Sequence, residues 1–144
     1  MLSSAIICLA LNIYFEARGE PLVARAAVAY VTTNRLEEKG LDTSKLCQIV
    51  YKKGVFSWTK HIEKYNESDS NPYTIQFMQK YKIRERKEWS ESLQLAQDVL
   101  DKKINNPIQD ATIFHDLTVN PKWTKELTFI KKINIFKFYK PKFS

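Results

Sequence analysis

Turn-forming residues are scarce in this sequence. Three glycines and five prolines in 144 residues argue for long regular elements rather than many tight turns. An apolar fraction of 44% and a charged fraction of 27% are ordinary for a globular domain, so nothing points to a collagenous, disordered or membrane-spanning chain. Two cysteines are too few for a metal site, and they show no Cys-x-x-Cys spacing. A basic leader is also missing before the apolar start, 1–15, and Glu16-Ala17-Arg18-Gly19-Glu20 follows in place of a small-residue cleavage site. That start is shorter than the roughly 20 apolar residues needed to cross a bilayer. It is expected as a buried core helix, in a chain without an export signal of its own. Cys8 and Cys47, each inside an apolar run, are then expected as buried free thiols, with a disulfide open to them if their helices pack together.

Positive charge is plentiful. The chain carries 23 Lys+Arg against 16 Asp+Glu, a net +7. Such an excess favours an anionic partner without choosing among nucleic acid, membrane and cell envelope. Seven of the lysines fall between Pro121 and Ser144, with Glu126 as the one acid there. Singly each is a solubilising surface charge; as a group they are candidates for docking to an anionic envelope.

Apolar residues recur at helical spacing over 3–17 (Ala5, Ile6, Leu9, Ala10, Ile13, Tyr14), with further apolar residues between them, so this helix should be central. Gly19 is placed to end it, and Pro21 suits the start of a second helix running to about Leu36. A short helix is expected over 44–51, a loop over 64–72 and a weakly helical stretch over 73–86. Trp89, Leu93, Ala96, Val99 and Leu100 mark a strong helix over 87–102, ended by Asn105-Asn106-Pro107. Two short strands, 111–115 and 133–139, should complete one α+β, predominantly helical domain over 1–144, with a small antiparallel sheet near its end.

Glu16 stands at the end of the apolar helix. Burial there disfavours the charged form and raises the pKa, as the proton donor of glycosidic cleavage requires. The same residue could equally pair with Arg18 or Arg25, or face solvent, and chemistry alone does not decide. Glu20, directly before Pro21, reads more simply as an acid at a helix start than as a second catalytic carboxylate. His115 reads as a core or groove histidine bonded to backbone. Phe56-Ser57-Trp58-Thr59 mixes aromatics that stack on sugars with hydroxyls that bond them, although Phe56 suits core packing equally well.

The segment 9–21 with Ala26-Ala27-Val28-Ala29 and Asn34-Arg35 resembles the opening of the spore-cortex-lytic and related cell-wall hydrolase family. Matching pieces follow in order: Leu46-Cys47-Gln48-Ile49-Val50-Tyr51, then Phe56-Ser57-Trp58-Thr59, the helix from Trp89 to Leu100, Ala111-Thr112 with Phe114-His115, Asn120-Pro121-Lys122-Trp123, and Phe138-Tyr139. The resemblance implies a lysozyme-like fold, with Glu16 acting on peptidoglycan glycan strands between N-acetylmuramic acid and N-acetylglucosamine. It implies a lytic transglycosylase giving 1,6-anhydro ends, which needs one carboxylate; a hydrolytic muramidase is the alternative. It places Phe56, Ser57, Trp58, Thr59, His115, Trp123 and Tyr139 along the substrate, and Arg18, Glu20, Asn34 and Arg35 as support around the turn after Glu16. Ile113, Asn134 and Phe136 stand where the family has His, Gly and His. With those histidines goes the basis for an imidazole cluster or metal site, while Asn134 can adopt the left-handed backbone a glycine supplies. No cofactor, metal or nucleic acid is expected. The context resembles a monomeric phage endolysin, made in the host cytoplasm and reaching the wall after release. The rival reading from another class is a non-catalytic basic module binding anionic envelope polymers or nucleic acid.

Overall fold

The computed structural model describes residues 2–69 and 71–142. Met1, Phe143 and Ser144, at the two ends of the segments discussed above, lie outside them, as does Ser70 in the expected loop. The chain is α+β and predominantly helical, with one small antiparallel sheet.

The apolar first helix, α1 (Ser4–Ala17), begins where the Ser3 hydroxyl accepts from Ile6 N. It is sheathed by α5 (Arg86–Leu100), α2 (Leu22–Glu38) and α3 (Leu46–Val50). Hence Leu9, Ala10, Leu11 and Ile13 are inaccessible to solvent although they face different directions. Gly19, at φ +85°, lets the chain reverse into α2, whose Ala24, Ala27, Val28 and Val31 permit close approach to α1. The Thr32 hydroxyl donates to Asn12 Oδ1 (2.5 Å), tying the two helices through a buried polar pair.

Cys8 and Cys47 do not remain free thiols. A disulfide joins them, with Cα atoms 5.3 Å apart, because α3 packs directly on α1. Between Tyr73 and Arg86 only α4 (Ile75–Lys80) is helical, capped by Thr74 and ended before Lys82 enters the left-handed region at φ +57°. α5 stops at Leu100, earlier than Asn105-Asn106-Pro107, with Lys102 left-handed at φ +57°. Among the described residues, no helix is long and apolar enough to cross a membrane.

The sheet contains β1 (Ile113–Asp116), β2 (Leu127–Ile133) and β3 (Phe136–Pro141) in the order β1-β3-β2, all antiparallel. The single strand expected over 133–139 is divided. Asn134 and Ile135 form a two-residue turn with Asn134 at φ +52°, so Ile133 pairs with Phe136. Two side chains near the end of α2 hold the approach to β1. Asn34 Nδ2 donates to the carbonyls of Gln109 and Ala111 (both 2.8 Å), and Arg35 Nε donates to that of Thr112 (2.7 Å). The small sheet is thereby fixed against the end of the helical core at which Glu16 emerges.

Candidate active site

Glu16, the penultimate residue of α1, opens into a cleft of about 360 Å³. Arg35 of α2, Phe56, Ser57 and Lys60 of the segment after α3, and His115 and Asp116 of β1 share its walls. Burial pushes the Glu16 carboxyl from 4.5 to about 7. The Arg35 guanidinium pulls it down, the Asp116 charge pushes it up, and the Trp58 indole lowers it slightly. Arg35 itself is depressed by burial, an effect that Glu16 and Glu38 oppose. Its guanidinium lies 5.3 Å from the centre of the Phe56 ring, and its Nη1 is buried without a hydrogen-bond partner. Nearness to Glu16 does not extend to an ion pair among the described residues.

Asp116 was not singled out from the sequence. It ends β1, and its Oδ1 accepts from both the backbone N–H (2.8 Å) and the hydroxyl of Thr118. Those bonds, the hydroxyl first, hold its carboxyl below the usual range. The available signal was Asp116-Leu117-Thr118, an Asp followed two residues later by Thr where a strand runs into a turn.

His115, Trp123 and Tyr139 come together on the sheet. The His115 Nδ1 lies 2.7 Å from the Asp116 carbonyl and its Nε2 2.8 Å from the Tyr139 hydroxyl. A carbonyl only accepts, so Nδ1 carries a proton; in the neutral ring Nε2 then accepts from the Tyr139 hydroxyl. The imidazole stacks on Tyr139 with centroids 5.4 Å apart, while Trp123 stands edge-on to both. Phe129, which the sequence reading did not select, extends this surface and is 52% exposed.

The Phe56–Thr59 segment is split between the cleft and the interior. Phe56 and Ser57 line the cleft, Phe56 as a nearly buried ring and Ser57 as an exposed hydroxyl. Trp58 does not offer a free face there: Phe15 stacks on it at 5.0 Å and Phe56 at 6.4 Å. Its buried Nε1 has no partner in hydrogen-bonding geometry, although the indole is near enough to Glu16 to favour the ionised carboxyl. The Thr59 hydroxyl donates back to the Phe56 carbonyl (2.7 Å) and serves the local turn.

The four supporting residues are dispersed. Arg18 pairs with Glu85 (3.3 Å) and lies over the Tyr14 ring. Glu20 accepts from Asn134 Nδ2 and stands outside the cleft lining. Asn34 and Arg35 hold the strand approach rather than the turn after Glu16, and Arg35 also faces the carboxyl. Among the described residues, no cluster of His, Cys, Asp and Glu is arranged to hold a metal ion.

The family model for Cell Wall Hydrolase matches residues 19–139. The chain belongs to that family. Its members act on peptidoglycan, and this chain is accordingly a peptidoglycan-acting hydrolase in the broad sense. The match takes in the Arg35 and Asp116 sides of the cleft and begins three residues after Glu16. The role of Glu16 therefore rests on its surroundings. No curated protein and no solved structure matches the chain.

Proposed function

We propose that this chain cuts the glycan backbone of peptidoglycan between N-acetylmuramic acid and N-acetylglucosamine, with Glu16 as general acid. One observation carries the reading: a carboxyl raised to about 7 by burial opens into a cleft on a wall hydrolase. At neutral pH a large share of Glu16 then holds the proton that the leaving oxygen must receive. Ser57 and Lys60 supply polar contacts along the cleft, and His115, Trp123 and Tyr139 form an aromatic wall beside it.

The group that completes the reaction decides the product. In the transglycosylase route implied by the family resemblance, Glu16 returns as a base. It takes the proton of the muramic acid 6-hydroxyl, which closes onto the anomeric carbon as a 1,6-anhydro ring. In the hydrolytic route water attacks that carbon with help from a second carboxylate. Asp116, in the same cleft, is the observation that favours this second reading.

The proposal extends to a lysozyme-like, monomeric catalytic domain in an endolysin role, released from the cytoplasm in which it is made to lyse the wall. Exposed Lys122, Lys125, Lys131 and Lys132 support docking to an anionic envelope. Glu16→Gln tests the enzymatic core. The variant should keep its circular dichroism spectrum and lose the clearing of purified sacculi by at least about 100-fold, the usual scale for a general acid. A folded variant that clears sacculi like the parent would overturn the assignment and leave the binding-module reading, for which steep salt dependence of binding is the mark.

A further inference from the structure

We infer that the Trp58 indole N–H and the Arg35 guanidinium form a receiving site for Glu16, taking up its carboxylate once the proton has passed to the leaving oxygen. The inference rests on the proposed role of Glu16 and adds what holds that group between steps. It makes Trp58 a positioning residue rather than a platform for sugar.

Buried donors normally have acceptors, because a donor cut off from water without one costs free energy. Three side-chain donors depart from this among the described residues: Asn12 Nδ2, Arg35 Nη1 and Trp58 Nε1. Each is linked to Glu16. Asn12 stands four residues earlier on α1, on the same side of the helix. The Arg35 charge favours the ionised carboxyl, and the Trp58 indole, whose one polar atom is Nε1, is near enough to favour it too. The other tryptophans are placed differently: Trp89 Nε1 donates to the Pro72 carbonyl (2.7 Å), and Trp123 is an exposed ring.

Neither donor is free to turn elsewhere. Phe15 and Phe56 stack on the indole and Tyr51 stands edge-on to it at 5.9 Å, so its N–H has a fixed direction. The guanidinium is held by the Nε bond to the Thr112 carbonyl and by the Phe56 ring. Glu16, by contrast, lines the cleft on a rotatable side chain. Protonated, it is a donor for the leaving oxygen. Ionised, it offers only acceptors, and bonds to a charged acceptor are the stronger ones. The unpaired donors thus match the ionised form and stay idle in the protonated one. The other charged and titratable groups lining the cleft are Lys60, after α3, and His115 and Asp116 of β1, of which Asp116 opposes the ionised form.

The proton balance needs no further reactant. As the bond from the anomeric carbon to the bridging oxygen breaks, its electron pair stays on that oxygen, which takes the Glu16 proton. Charge appears on Glu16 at that moment, and the two donors meet it without gaining or losing a proton. In the one-carboxylate route the 6-hydroxyl oxygen then bonds to the anomeric carbon and its proton returns to Glu16, which leaves the donors.

The indole N–H signals of the ¹⁵N-labelled wild-type chain test this without relying on a Trp58 variant. The assigned Trp58 signal should move downfield as pH rises through about 7, where Glu16 ionises, and should stay fixed in Glu16→Gln. Trp58→Phe keeps a ring between Phe15 and Phe56 and should fold. Its kcat on soluble glycan fragments should fall at least about tenfold, the scale of one hydrogen bond to a charged group, with KM unchanged. Its alkaline limb should move to higher pH, because losing the donor favours protonated Glu16. A sugar platform would instead raise KM and leave that limb in place. A wild-type Trp58 signal that ignores pH across this range would overturn the inference, and so would a folded Trp58→Phe with an unmoved alkaline limb. Glu16→Gln also isolates the premise: sacculus clearing like the parent's would refute the role of Glu16, whereas lost clearing there with an unmoved wild-type Trp58 signal refutes the receiving site alone.

Discussion

Asn134 donates its side-chain amide to Oε1 of Glu20 over 2.8 Å, joining the tip of the β2–β3 hairpin to the turn between α1 and α2. The two residues brace the sheet against the helices at a point outside the cleft lining.

Substitutions in this pair should therefore affect stability and spare chemistry. Glu20→Ala removes an exposed hydrogen bond and should cost about 0.5–1 kcal/mol in urea unfolding. Asn134→Ala also places a less tolerant residue at φ +52°, adding about 1–2 kcal/mol, whereas Asn134→Gly should recover most of that second part. Sacculus clearing by folded Glu20→Ala should match wild type. A large loss of clearing in that variant would return Glu20 to the catalytic machinery.

Proton retention at Glu16 links activity and stability to pH. In the proposed role the protonated form is the active one, so activity should fall as pH rises past about 7. A folded-state carboxyl raised above its unfolded value binds more protons when folded, so stability is fully present below about 4.5 and is lost as pH rises to about 7. Glu16→Gln abolishes this titration. It should be more stable than wild type by about 1–3 kcal/mol at pH 8, with the gap closing towards pH 4. Urea titrations of both proteins across that range measure the difference, and a gap independent of pH would contradict the raised value.

The disulfide makes a separate prediction. Cys8 and Cys47 close a loop over a sequence separation of 39, which in the chain-entropy account stabilises by up to about 4 kcal/mol. Reduction should lower the urea midpoint without altering far-UV circular dichroism in the absence of denaturant, because Cys8 remains packed in the core. Cys8→Ala/Cys47→Ala should show the same loss and no further response to reductant.

The sequence revealed elements whose signals are local and hid relationships that depend on packing. The near-continuous apolar run of α1 announced a buried helix, and Gly19 and Pro21 marked its end and the start of the next. By contrast, pairing of the cysteines depends on how closely α3 approaches α1, which neither apolar run encodes. β2 went unseen because its inward pattern is weak. Ile133 is its one buried residue, and the register shifts between Phe129 and Lys131. Trp58 had the chemistry of a sugar platform, but Phe15 occupies its face. Asp116 escaped notice because only the fold brings it beside Glu16; its local pattern specifies a turn equally well.

Glu16 also belongs to the last turn of a 14-residue helix, where the aligned backbone dipoles concentrate partial negative charge. The backbone itself therefore resists ionisation of the acid, in addition to what burial and Asp116 contribute. No side-chain substitution that leaves α1 intact removes this field. The direction in which the chain runs through the core is thus part of how the proton is kept, and a graft carrying only the side chains of the cleft would release it at a lower pH.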